Sequence, residues 1–246
     1  MQNRWFKNFK KTPNPKIKLF CFPHAGGNSD TFKHWAQYLP DWIELYSLQL
    51  PGRGSRFNEP CLDNMEIITD KLSENITTLI DKPFVFLGHS LGGSIAFELT
   101  KKLKQLNLNL PNRLFIVGRE SPRVPPKNAK YTASDSEIIE YLKLLSGTNN
   151  AVFHTNDLIK LLLPMIRCDL KLAETYHYYC KHKSPVTCPI NVFWGTDDVG
   201  LKIQDVEDWN KETTSTCHID QFEGHHFFLH ETPKIVIEKM LAYIEI

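Results

Sequence analysis

The stretch from Pro83 to Ala96, PFVFLGHSLGGSIA, constrains this chain more than any other. Its first half is a short apolar run rich in Phe and Val, the pattern of a fully buried strand. The chain then turns through Gly88, His89, Ser90, Leu91, Gly92 and Gly93, and leaves as a helical pattern running from Ser94 to Gln105. Strand, G-x-S-x-G and helix make a nucleophile elbow, a turn so tight that residues two places either side of the serine must lack bulk. Gly88 and Gly92 hold those places. The turn lifts the Ser90 Oγ out of the sheet and aims the Leu91 N–H at the same point. A glycine-rich strand-to-helix loop is the plainer reading, but it leaves unexplained why the motif sits between a buried strand and an amphipathic helix.

Around the elbow, strands and helices alternate. Lys16 to Phe22 reads as a strand ending at the loop Pro23-His24-Ala25-Gly26-Gly27, followed by a helix to Leu39 capped near Ser29 or Asp30. Ile43 to Leu50 alternates apolar and polar residues and is stopped by Pro51-Gly52-Arg53-Gly54. Asp63 with Glu66 resembles a capping box, and Met65, Ile68, Leu72, Ile76 and Leu79 mark one helix face. Arg113 to Gly118, Pro189 to Gly195 and Cys217 to Phe222 are three further strands, and Thr232-Pro233 opens a last helix carrying Ile237, Met240, Leu241 and Ile244. Such alternation implies an α/β class with a mostly parallel sheet and helices on both faces. The basic N-terminal segment before Lys16 reads as a surface arm.

One region breaks the rhythm. Ser134 and Glu137 open a helix through Ile138, Leu142 and Leu145 that Gly147 closes, and a second helical pattern runs from about Asp157 to Tyr179 with a break at Pro164. A helical insertion at about 122–185, after the sheet has passed the serine, is placed to be a lid over an apolar channel; a plain layer of packing helices is the alternative. Tyr176, Tyr178 and Tyr179 either line such a channel or pack.

A serine is a poor nucleophile at neutral pH and needs a base within hydrogen-bond reach, itself oriented by a carboxylate. On this architecture the chain order is serine, acid, base. Gly195-Thr196-Asp197-Asp198 follows a late strand, and Glu223-Gly224-His225-His226 follows the last one. Spacing alone leaves Asp197 or Asp198, and His225 or His226, open. The second oxyanion donor falls in the loop His24-Ala25-Gly26-Gly27. His24 is not expected to be the base, because in this order the base lies at the far end of the chain.

A chain of 246 residues is long enough for one well-buried α/β domain. Its formal net charge of +1 gives no case for nucleic acid or a membrane surface, and no run approaches the about eighteen apolar residues a membrane helix needs. Six cysteines without C-x-x-C or zinc spacing fit reduced core thiols and a cytoplasmic location. The ten histidines include His225, His226 and His230 but no ligand spacing, so no structural metal is expected. No cofactor motif is present, and no coiled coil or long exposed apolar stripe demands an oligomer, so a monomer is expected.

FPHAGG at 22–27, LPGRGSR at 50–56, GHSLGG at 88–93, LPMIRCD at 163–169 and GHHFFL at 224–229 occur in that order. Together they resemble the type II, or external editing, thioesterases of nonribosomal peptide and polyketide synthesis, with a further likeness to medium-chain fatty-acyl thioesterases. The resemblance covers the chain from about residue 17 onward and implies a single α/β-hydrolase domain over 1–246. It implies Ser90 as nucleophile, His226 as base and Asp198 as acid, with the N–H groups of Leu91 and Ala25 as oxyanion hole. It also implies hydrolysis of acyl or aminoacyl thioesters on the phosphopantetheine arm of carrier proteins. A small-molecule carboxylesterase or lipase, and a non-catalytic binding protein on the same fold, are the alternatives. Two stretches depart from the family pattern near the expected site: Trp194, and Gly118-Arg119-Glu120-Ser121-Pro122.

Overall fold

Seven strands hydrogen-bond in the order β1-β3-β2-β4-β5-β6-β7. They are β1 (Phe6–Lys10), β2 (Ile17–Phe22), β3 (Ile43–Leu48), β4 (Phe84–His89), β5 (Arg113–Val117), β6 (Ile190–Gly195) and β7 (Cys217–Phe222). The helices are α1 (Met65–Ile76), α2 (Leu91–Gln105), α3 (Asp135–Ser146), α4 (Asn156–Thr175), α5 (Ile203–Glu207), α6 (Phe228–Glu231) and α7 (Pro233–Leu241). The computed structural model describes residues 3–125, 129–146, 156–176 and 184–244. β2 to β7 pair in parallel, in registers such as Leu19 with Val85, Leu87 with Phe115 and Val117 with Phe193.

Side chains alternate across each strand, so the central strands feed two cores. Phe20, Phe22, Phe84 and Phe86 point to one face, where Ile95, Phe97 and Leu99 of α2 and Ile68 and Leu72 of α1 meet them. Leu19, Val85, Leu87, Phe115 and Phe193 point to the other, against Phe32 and Trp35 and against Val236, Ile237 and Met240 of α7. Burial on both faces explains why these strands are nearly continuous apolar runs. A third, smaller cluster packs α3 on α4 through Ile138, Leu163, Met165, Ile166 and Leu170. No helix among the described residues is long and apolar enough to cross a membrane.

Several local expectations are corrected. The N-terminal segment, expected as a surface arm, itself contributes a strand: β1 pairs antiparallel with β3, with a register shift between Asn8 and Lys10. The helix after the first loop is 3-10 over Ser29–Gln37, and its cap is Asn28, whose side chain accepts the Asp30 N–H at 2.7 Å. β3 ends at Leu48 rather than Leu50. α1 is capped by Asn64, which accepts the Ile67 N–H at 3.0 Å, while Asp63 pairs with Lys171 at 2.6 Å. The Ser134–Glu137 capping box forms as expected. α4 does not break at Pro164: that residue is exposed, while buried Leu163, Met165 and Ile166 on either side hold the helix to α3. Gly147, Tyr178 and Tyr179 lie outside the described residues.

Candidate active site

The elbow forms where the sequence places it, and at a backbone cost. Ser90 sits at φ 54°, a region non-glycine residues avoid, which typically costs about 1–3 kcal/mol. Its N–H is held by the Val117 carbonyl at 2.8 Å. The flanking glycines are required by close approach. A Cβ on Gly88 would lie 2.3 Å from the Gly92 carbonyl oxygen, and one on Gly92 only 2.0 Å from that of Phe22. α2 starts at Leu91, so the Leu91 N–H belongs to the helix's unsatisfied first turn.

The structure joins the late loops as chain order requires. The Asp198 carboxylate is buried, accepting the Gly200 N–H at 3.0 Å through Oδ1 and the His226 Nδ1–H at 2.6 Å through Oδ2. That bond fixes the His226 tautomer and leaves Nε2 as the lone-pair nitrogen. A Cβ on Gly195 would lie 2.3 Å from the Gly224 carbonyl oxygen, so only glycine lets the two loops pack this closely. Asp197 and His225, which spacing alone could not separate from their neighbours, are both exposed, and the His225 Nδ1 lies 3.4 Å from the Asp197 carbonyl. Ser90, Leu91, Ala25 and His226 all line one cavity of about 290 Å³, whose far wall is Leu142 and Leu145 of α3 with Leu170 and Ala173 of α4. Of the two departures, Gly118, Arg119 and Glu120 line this cavity; Trp194 is not among its lining residues and packs against the core instead.

Behind the loop of Ala25 lies an arrangement whose letters the sequence displays without revealing their use. Arg53 and Asp169 form a buried bidentate pair, with Nη2 to Oδ1 at 2.7 Å and Nη1 to Oδ2 at 2.5 Å. Burial opposes the Arg53 charge, and the carboxylate beside it outweighs that, raising the guanidinium pKa. Asp169 Oδ2 also accepts the Gly26 N–H at 2.7 Å. One carboxylate of α4 therefore holds both the Pro-Gly-Arg-Gly turn and the residue next to Ala25. A second group of side chains surrounds His226: burial holds His24 and His89 well below the ordinary imidazole range and brings His230 down to about 3. Burial therefore favours the neutral form of all three.

A mostly parallel sheet with a serine elbow after β4, an acid loop after β6 and a histidine loop after β7 defines the serine-hydrolase class of the α/β-hydrolase fold. Within it, the chain belongs to the Thioesterase domain family, whose profile matches residues 17–244. It is similar to the gramicidin S biosynthesis protein GrsT of Aneurinibacillus migulanus, 36% identical over 245 residues, 99% of this chain and 95% of that one. It is also similar to the thioesterase PikA5 of Streptomyces venezuelae, 32% identical over 232 residues, 92% of this chain and 80% of that one. Among solved structures, the type II thioesterase BorB from the borrelidin biosynthetic cluster superposes with a TM-score of 0.89 at 27% identity, covering 98% of each chain.

Proposed function

We propose that the protein hydrolyses acyl thioesters through an acyl-Ser90 intermediate. The observation that carries this is the 2.6 Å His226–Asp198 pair on the cavity that Ser90 lines. His226 Nε2 takes the Ser90 proton as Oγ attacks the thioester carbonyl, and the N–H groups of Leu91 and Ala25 receive the oxyanion. Collapse breaks the C–S bond, and His226 returns its proton to the leaving thiolate. Water, deprotonated by His226, then attacks the acyl-serine; the second collapse frees the acid and restores the Ser90 hydroxyl. Asp198 holds the imidazole in the tautomer both halves need and stabilises the imidazolium.

The substrate is an acyl or aminoacyl group on the phosphopantetheine arm of a carrier protein. Relatives named for gramicidin S biosynthesis and for the borrelidin cluster support that assignment. The apolar wall of α3 and α4 receives the acyl group, and these helices serve as the lid of a single domain. The described cysteines are all free, which suits a cytoplasmic enzyme, and we take it to act as a monomer.

The test is intact-mass spectrometry of carriers loaded with acetyl, medium-chain and aminoacyl groups, incubated with wild type and with Ser90→Ala, beside p-nitrophenyl esters. Wild type should strip carriers faster than it cleaves free esters, and Ser90→Ala should strip none while keeping the wild-type melting curve. Carriers left loaded while simple esters fall would make this an esterase. A fully active Ser90→Ala would end the mechanism.

A further inference from the structure

Three of the imidazoles around His226 come from separate segments: His24 from the loop after β2, His89 from the end of β4 and His230 from α6. One ring nitrogen from each lies within 4.8 Å of the other two. The ring centroids are 5.1 Å apart for His24 and His89, 5.7 Å for His24 and His230, and 5.3 Å for His89 and His230. Three imidazoles on one tetrahedral ion, with metal–nitrogen bonds of about 2.0–2.1 Å, place their centroids about 5 Å apart. Their nitrogens would then be about 3.4 Å apart, which the rings reach by turning about centroids that already have the right spacing.

Hydrogen bonding points the same way. His89 Nε2 lies 2.9 Å from the His226 carbonyl, which can only accept, so Nε2 carries the proton and Nδ1 a free lone pair. That Nδ1 is buried and has no partner among the described residues, and the same holds for His24 Nδ1 and His230 Nε2. His89 itself is fully buried. A histidine whose far N–H is fixed on a backbone carbonyl is the habitual form of a metal ligand, because that bond sets both tautomer and ring orientation. Each of the three histidines of this cluster thus carries one buried ring nitrogen with no hydrogen-bond partner among the described residues.

We propose that His24, His89 and His230 bind a borderline divalent transition cation, Zn²⁺ being the one to test, with a water in the fourth position. Neutral imidazoles select such an ion over Mg²⁺ or Ca²⁺, which want oxygen. No carboxylate among these ligands compensates the ion's charge, so binding rests on the imidazole–metal bonds alone. Sequence spacing predicts no metal here because no two ligands share a local motif. Bound, the ion would tie the loop of Ala25, the elbow and α6 together, and through His89 would steady the carbonyl of His226.

The experiment uses untagged, chelator-stripped protein titrated with Co²⁺ and then Zn²⁺. Wild type should take up one Co²⁺ with the intense visible bands of four-coordinate nitrogen ligation, lose them to Zn²⁺, and melt at a higher temperature with Zn²⁺ bound. His230→Phe should weaken Co²⁺ binding at least about 100-fold, whereas His225→Gln, on the surface, should leave it unchanged. Long-range ¹⁵N–¹H spectra of the wild-type imidazoles need no variant: Zn²⁺ should shift His24, His89 and His230 and not His218 or His225. Absence of the bands in wild type, equal binding by His230→Phe, or shifts confined to the surface histidines would overturn the site and leave the orphan nitrogens to water.

Discussion

Truncating Asp169 to Ala strips three hydrogen bonds from two groups that have few other partners. Among the described residues, the Arg53 guanidinium, 3% exposed, would keep only long contacts to the Pro51 carbonyl at 3.3 Å and the Gly27 carbonyl at 3.4 Å. Removing one partner of a buried pair costs about 3–5 kcal/mol, chiefly because the other charge is left uncompensated. Domains of this kind are stable by about 5–15 kcal/mol, so urea melts should show a midpoint far below wild type. Activity should fall for a different reason. The Gly26 N–H loses its 2.7 Å acceptor, and the loop carrying the proposed oxyanion donor, the Ala25 N–H, loses an anchor. Complete loss of an oxyanion donor lowers kcat about 10²–10³-fold; a misdirected one should cost about tenfold or more, with KM little changed. The double variant Arg53→Met with Asp169→Leu separates the two effects. It should recover stability to within about 1 kcal/mol of wild type, since no charge is stranded, yet keep the low kcat. If Asp169→Ala melts within about 1 kcal/mol of wild type, or the double variant recovers full kcat, the pair does not position the loop.

Other changes have sharper expectations. Asp198→Asn should lower kcat about 10⁴-fold with KM nearly unchanged, because the amide stabilises the wrong imidazole tautomer; steady-state kinetics on an acyl thioester checks it. Gly92→Ala forces a methyl to within 2.0 Å of the Phe22 carbonyl oxygen, a backbone atom that cannot swing aside. The variant should lose at least about 3 kcal/mol in a denaturant melt and fail to label with a fluorophosphonate. Pro164→Ala restores a backbone donor in mid-helix at an exposed position, so it should raise the melting temperature by a few degrees in calorimetry.

The parallel strands were legible because burial on both faces writes them as apolar runs, and the elbow because its glycines are forced by contact. β1 was not: Lys-Asn-Phe-Lys carries no such run, since an edge strand needs only one buried residue, Phe6, at its start. Pro164 misled for the opposite reason, its local penalty being outweighed by Leu163, Met165 and Ile166 packing on α3. At the site, order along the chain identified the two loops, and likeness to a known family chose Asp198 and His226 within them. Arg53 and Asp169 stood in quoted motifs, but a bond spanning 116 residues leaves no periodicity to read. The convergence of His24, His89 and His230 is hidden in the same way.

The short arm that became β1 has a consequence for how the molecule behaves in a crowded solution. Without it, the sheet would end at β3, six consecutive buried residues whose free N–H and C=O groups would offer another chain a template for pairing. β1 replaces that margin with one carrying Lys7 and Lys10 and a shifted register, features that resist further strand addition. Trimming the first ten residues, at the end of the sheet farthest in chain order from the histidine loop, should therefore promote aggregation before any rate constant changes.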